Sequence, residues 1–129
     1  MTVKVNVIQI VVSDMAASIA FYERLGVEFP AGSANEPHVD TQLGGGVRLS
    51  FDTEETIKSF MPEWERPTST GRLGLAAECE SPAAVDAKFE ELVAAGYEPG
   101  MKPWDAFWGQ HYAVVHDPDG NGVDLYAAL

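Results

Sequence analysis

The chain has 129 residues, 46% of them hydrophobic and 22% charged, with a formal net charge of −12 and one cysteine. That length builds one compact domain or two small modules, and the apolar share argues against disorder. The acidic balance excludes a nucleic-acid surface, which needs a basic footprint, and disfavours an anionic membrane. No apolar run is long enough to span a bilayer, and the start lacks the basic-then-apolar pattern of a signal peptide. Cys79 cannot form an intramolecular disulfide and reads as a buried, inert thiol. A cytoplasmic protein is expected.

Val3 to Val12 reads as a strand, with Asn6, Ile8, Ile10 and Val12 on one face and Val5, Val7, Gln9 and Val11 on the other. Asp14 can cap a helix whose inner face holds Ile19, Tyr22 and Leu25, and Gly26 suits its left-handed end. Pro37 to Leu43 and Val47 to Asp52, joined by Gly44-Gly45-Gly46, predict a hairpin. If Leu43 opposes Val47, then Thr41 opposes Leu49 and Val39 opposes Phe51 on the apolar face. The other face then sets His38, Asp40 and Gln42 against Asp52, Ser50 and Arg48. A short helix is expected within 52–61. Pro62 to Gly71 reads as a linker, in which Trp64 is either a plug or part of a lid.

Leu73 to Cys79 is a second strand-like run that places Glu78 on the face opposite the apolar Leu73, Leu75, Ala77 and Cys79. Ser81 and Pro82 start a helix running to Ala95. Trp104, Phe107 and Trp108 cluster between Pro103 and Gly109, where a cavity mouth would lie. Two strands follow, about Gln110 to Val115 and Gly122 to Ala127, turned by Asp117-Pro118-Asp119-Gly120-Asn121. Val123 and Leu125 face the helices, so Tyr112, Asp124 and Tyr126 share the other face.

The two halves are imperfect copies. Ala16/Ala83, Ala17/Ala84, Ala20/Ala87, Tyr22/Phe89, Glu23/Glu90 and Leu25/Leu92 coincide, and an insertion at Val93 to Ala95 restores Gly26/Gly96 and Glu28/Glu98. A duplicated module follows: the first about residues 1–61, a linker about 62–71, the second about 72–129, forming a single domain. The repeat predicts a curved sheet whose concave face forms a cavity. This makes the polar strand residues pocket candidates.

The module order, the Phe21-Tyr22…Leu25-Gly26 helix end and Asp117-Pro118-Asp119-Gly120-Asn121 before the last strand resemble the vicinal oxygen chelate superfamily. That superfamily includes glyoxalase I, extradiol dioxygenases and bleomycin-resistance proteins. The segment from Lys102 to Gln110 resembles its uncharacterised bleomycin-resistance-like branch. The resemblance implies an α+β fold of two βαβββ modules forming a cupped mixed sheet with helices outside, and a homodimer.

Family enzymes hold a divalent metal with a side chain from the first and last strand of each module, a Lewis acid for two substrate oxygens. Carried onto this chain, those positions fall on Val7, Arg48, Gly74 and Asp124. Only Asp124 could ligate, so no metal cofactor is expected. The expected ligand-binding residues are Gln9, His38, Asp40, Arg48, Ser50, Glu78, Trp104, Trp108, Tyr112, Asp124 and Tyr126. His38 is also a candidate acid/base. Two functions stay open: a metal-independent binder of a polar or cationic aromatic compound, such as an antibiotic, and a divergent metal-dependent lyase, isomerase or dioxygenase. A phosphate loop is excluded at Gly44 to Gly46, which lacks the lysine and following helix it would need.

Overall fold

The computed structural model describes residues 2–68 and 71–129. The chain divides into two compact units, Met1–Pro67 and Thr68–Leu129.

The first unit runs β1 (Val7–Val12), α1 (Met15–Arg24), a 3-10 turn at Ser33–Asn35, β2 (His38–Gly44), β3 (Val47–Thr53) and α2 (Glu54–Phe60). Its sheet has the order β1-β3-β2, with β1 parallel and β2 antiparallel to β3. The Asp14 carboxylate accepts from the Ala17 amide at 3.1 Å, satisfying one of the free donors at the start of α1. At the other end Gly26 has φ +86°, the Gly26 amide donates to the Glu23 carbonyl, and the Val27 amide donates to the Tyr22 carbonyl. This is a Schellman end, and the positive φ explains the glycine. Helix α1 buries Met15, Ile19, Phe21 and Tyr22, and Tyr22 packs on Phe51 of β3 with ring centroids 5.3 Å apart. Leu25, expected on that face, is instead the C-cap.

The second unit runs β4 (Leu75–Glu78), α3 (Pro82–Ala94), β5 (Pro99–Asp105), β6 (Gln110–His116) and β7 (Gly122–Ala128). Its sheet has the order β4-β7-β6-β5, with β4 parallel to β7 and the other pairs antiparallel. Ser81 accepts from the Ala84 amide at the start of α3. Gly96, at φ +98°, closes the helix with the same pair of bonds: its own amide to Val93 and the Tyr97 amide to Leu92. Val85, Phe89 and Leu92 are buried, as are Ala113, Val115, Val123, Leu125 and Ala127 on the helix side of the sheet. The repeat is therefore structural, with matched caps and matched helix ends, and the fold is α+β as expected.

Four boundaries differ from the sequence reading. Strand β1 begins at Val7, not Val3; Val3 and Val5 are 84% and 93% exposed, and so have no apolar surface to pack against. Residues 27–37 of the first unit hold a 3-10 turn and no strand, so that module is βαββ followed by α2 rather than the βαβββ that the resemblance implies. Strand β5 occupies a stretch whose glycine and prolines read as loop. Proline is tolerated there because β5 lies at the sheet edge, where an absent N–H breaks no ladder. In the hairpin, Gly44 rather than Leu43 opposes Val47, and an irregularity between Gln42 and Gly44 restores the expected register from Thr41 onward. Gly45 and Gly46, at φ +63° and +80°, supply the positive φ that such a tight turn demands. Among the described residues, no helix is long and apolar enough to cross a membrane.

Candidate functional site

Strand pairing assembles a polar face on the first sheet. His38 pairs with Asp52, Asp40 with Ser50 and Gln42 with Arg48 across β2–β3, while Gln9 and Val7 of β1 pair with Ser50 and Arg48. The side chains form one chain of contacts. Gln9 Nε2 donates to Asp52 Oδ2 at 2.6 Å, and Asp52 Oδ1 lies 2.6 Å from His38 Nδ1. His38 Nε2 lies 2.9 Å from Asp40 Oδ2. Ser50 Oγ donates to Asp40 Oδ1, and Arg48 Nε approaches the same oxygen at 3.6 Å.

Neutral imidazole has one N–H, so only the imidazolium donates to both carboxylates. The Asp52 hydrogen bond, then that of Asp40, accordingly raises the His38 pKa above its ordinary 6.5. Hydrogen bonds from Ser50 and then His38 hold Asp40 below the usual carboxylate range. Two carboxylates thus meet the Arg48 guanidinium and an imidazole whose protonated form they favour. Both ring nitrogens of His38 are engaged by carboxylates.

The corresponding face of the second sheet is different. Trp104, Tyr112, Tyr126 and Glu78 lie in one row across β5, β6, β7 and β4, and Val114, Asp124 and Ala76 lie in the next. Trp108 stands edge-on to Trp104, Phe107 and Tyr112, with ring centroids 5.6, 5.0 and 5.1 Å away. Its Nε1 donates to Gln110 Oε1 at 2.8 Å, which fixes the indole although Trp108 remains 47% exposed. Burial, then the hydrogen bond to Asp124, pushes the Tyr112 phenol up to about 12. No cation is among the residues of these two rows.

The remaining histidines stand apart. His111 lies on the helix side of the second sheet, as its parity predicts. Its Nε2 is 2.7 Å from Asp86 Oδ1 and its Nδ1 is 2.7 Å from Asp105 Oδ1. Neither aspartate was singled out in the sequence, because nothing local links a residue of α3 to one of β6. His116 pairs with Gly122 at the strand end. The Asp117 carboxylate is spent on the turn, accepting from the Asp119 and Asn121 amides and from Asn121 Nδ2. Trp64 stays with the first unit: its amide donates to Met61, Lys58 Nζ lies 6.0 Å from its ring centroid, and Arg66 grips Glu54 through two bonds of 2.7 and 2.5 Å.

The positions that the resemblance assigns to a metal do not fit one. Val7 pairs with Arg48, so in the first unit an apolar side chain faces a cation. In the second, Asp124 pairs with Ala76 rather than Gly74, two residues from the expected position. Either choice leaves Asp124 as the sole carboxylate, whereas a catalytic metal takes about three protein ligands. Sliding the first unit by two brings in Gln9 and Ser50, but the Gln9 amide is already bonded to Asp52. Among the described residues, no three His, Cys, Asp or Glu side chains are grouped to hold a metal ion.

The family model for the Glyoxalase/Bleomycin resistance protein/Dioxygenase superfamily matches residues 4–125. Similar solved structures include a glyoxalase/bleomycin resistance protein/dioxygenase family enzyme from Burkholderia phytofirmans PsJN, at 19% identity and a TM-score of 0.81, covering 96% of this chain and 98% of that one. A glyoxalase-related enzyme from Fulvimarina pelagi matches at 23% identity and a TM-score of 0.79, covering 96% and 87%. A glyoxalase/bleomycin resistance protein/dioxygenase from Nocardioides matches at 25% identity and a TM-score of 0.73, covering 100% and 85%. Comparison with curated protein sequences gives no match. With the family model spanning nearly its whole length, the chain belongs to the glyoxalase/bleomycin resistance protein/dioxygenase superfamily.

Proposed function

We propose that this protein binds a small cationic aromatic compound without the help of a metal. One observation carries the reading: a fixed, half-exposed aromatic group (Trp104, Trp108 and Tyr112) shares a sheet face with Asp124. Indole faces attract cations and stack on flat rings, and a carboxylate beside them supplies the opposite charge. Glu78 and Tyr126 extend the same rows. On the first sheet the carboxylates of Asp40 and Asp52 are already bonded to His38, Ser50 and Gln9, so the second sheet alone carries the reading. A cytoplasmic homodimer acting as one two-module domain belongs to the same proposal, and light scattering on the purified protein tests the assembly.

A divergent metal-dependent lyase, isomerase or dioxygenase is the second reading. It is favoured only by Gln9, His38 and Asp52 lying together on one sheet, and these three are bonded to one another. The deciding experiment has two arms. The first is metal content of untagged protein, followed by titration with nickel, zinc, manganese and iron(II). The second is a thermal-shift comparison of N-methylquinolinium with uncharged quinoline. Stabilisation by the cation alone, with no metal held, supports binding; one tightly held metal per chain overturns it.

A further inference from the structure

The aromatic group sits at the edge of the second sheet. Strand β5 is an edge strand whose register against β6 shifts twice, between Pro99 and Met101 and between Met101 and Trp104. Pro99 and Pro103 donate no backbone hydrogen bond. The turn that follows is closed by the Ala106 amide to the Gln110 carbonyl at 2.8 Å and the Gly109 amide to Ala106 at 3.1 Å. Trp104 precedes this turn, Trp108 lies within it, and Phe107, at its tip, is 91% exposed.

One side-chain clamp secures this edge from behind. Asp105, next to Trp104, pairs in register with His111. The His111 ring joins Asp105 on β5 to Asp86 on α3, at 2.7 Å on each side. Its side chain is only 13% exposed, while those of Asp86 and Asp105 are 51% and 70% exposed. The charged groups acting on it are Asp86 from α3 and Asp105 from β5; β7 presents Ala127 in the next ladder position.

We infer that His111 is a positioning residue for the aromatic turn: as an imidazolium it ties β5 to α3 and sets the position of Trp104 and the turn that carries Trp108, and on losing its proton it lets that edge shift. Two carboxylates face two ring nitrogens, and a neutral imidazole can donate to only one of them. The other nitrogen then presents a lone pair to an anion. Asp105, the more exposed partner, turns to water, and the edge strand loses its side-chain clamp to the helix. The hydrogen bonds from Asp86 and then Asp105 raise the His111 pKa above its ordinary 6.5, which puts the transition on the alkaline side of that value. The consequence for ligand capture rests on the function proposed above; the positioning itself does not.

The test follows the Trp108 indole N–H and the His111 ring protons by NMR between about pH 5.5 and about pH 9.5, a range that spans histidine titration. Trp108→Phe assigns the indole signal. The expected result is a Trp108 shift with the same midpoint as His111, above 6.5. His111→Gln should abolish the shift, and Asp105→Asn, at an exposed position, should move both midpoints down together. A Trp108 signal that stays flat while His111 titrates overturns the inference, as does one that titrates unchanged in both variants. N-methylquinolinium, followed by fluorescence quenching, separates this inference from the proposed function. Coupled Trp108 and His111 signals with no binding of the probe at any pH sink the binding reading alone. Binding that is equal on both sides of the His111 midpoint, with a flat Trp108 signal, sinks the positioning role alone.

Discussion

His38 and Asp52 face each other across the β2–β3 ladder, and the ring nitrogen Nδ1 stands 2.6 Å from a carboxylate that is itself buried. With Asp40 on its other nitrogen, His38 forms the same three-part arrangement that His111 makes with Asp86 and Asp105.

These two histidines should give stability an alkaline limb. Each has its folded pKa raised above 6.5, so the folded state holds protons that the unfolded chain has released. Their contribution is complete below the unfolded value, about 6.5, and is lost as pH rises through the folded value. Asp40 runs the other way: its folded pKa is depressed below 3.8, so its contribution is present above that value and disappears as pH falls through the folded one. Thermal unfolding against pH checks this. The double variant His38→Gln/His111→Gln should flatten the alkaline limb, and an unchanged slope would disprove the assignment.

Ser18 lies on the inner face of α1, fully buried, and among the described residues its Oγ is the one buried side-chain oxygen or nitrogen that lacks a hydrogen-bond partner. An unsatisfied buried hydroxyl costs about 1–3 kcal/mol, and alanine is also the better helix former. Ser18→Ala should therefore raise stability by about 1 kcal/mol in urea unfolding. A loss of similar size would mean that the hydroxyl has a partner in solution.

Gly100 should resist even the smallest side chain. A Cβ there would lie 2.8 Å from Val114 Cγ1 and 3.3 Å from His116 Cε1. Valine is stiff about its first torsion, so β5 would have to move. Gly100→Ala should cost about 1–3 kcal/mol, with the loss confined to the second unit in hydrogen exchange. A neutral result would show that the edge strand adjusts freely.

Asp124 should govern both the neighbouring phenol and the proposed ligand. Asp124→Asn removes the charge that helps hold Tyr112 at about 12, so ultraviolet titration should show the phenol falling toward its ordinary 10. The same change should weaken N-methylquinolinium binding by about tenfold and leave quinoline unaffected. Equal losses for the two compounds would mean that the carboxylate shapes the site without reading charge.

Much of this was visible in the chain itself. Strand parity placed His38, Asp40 and Gln42 opposite Asp52, Ser50 and Arg48, because period-two alternation plus a tight glycine turn leaves few registers. The caps at Asp14 and Ser81 and the glycine ends at Gly26 and Gly96 were equally local signals. Strand β5 was hidden by its own prolines. The offset that pairs Asp124 with Ala76 was hidden because β4 and β7, parallel and separated by α3, β5 and β6, share no turn to fix their register. The His111 clamp needed knowledge of which face of α3 meets the sheet edge.

The bonded chain on the first sheet couples six side chains. Gln9, Asp52, His38, Asp40, Ser50 and Arg48 each complete a neighbour's bonding, so changing one alone strands the next. Replacements there should not add in double-mutant cycles. Over evolutionary time these positions should drift as a set, with His38 exchanged only when an aspartate beside it is exchanged as well.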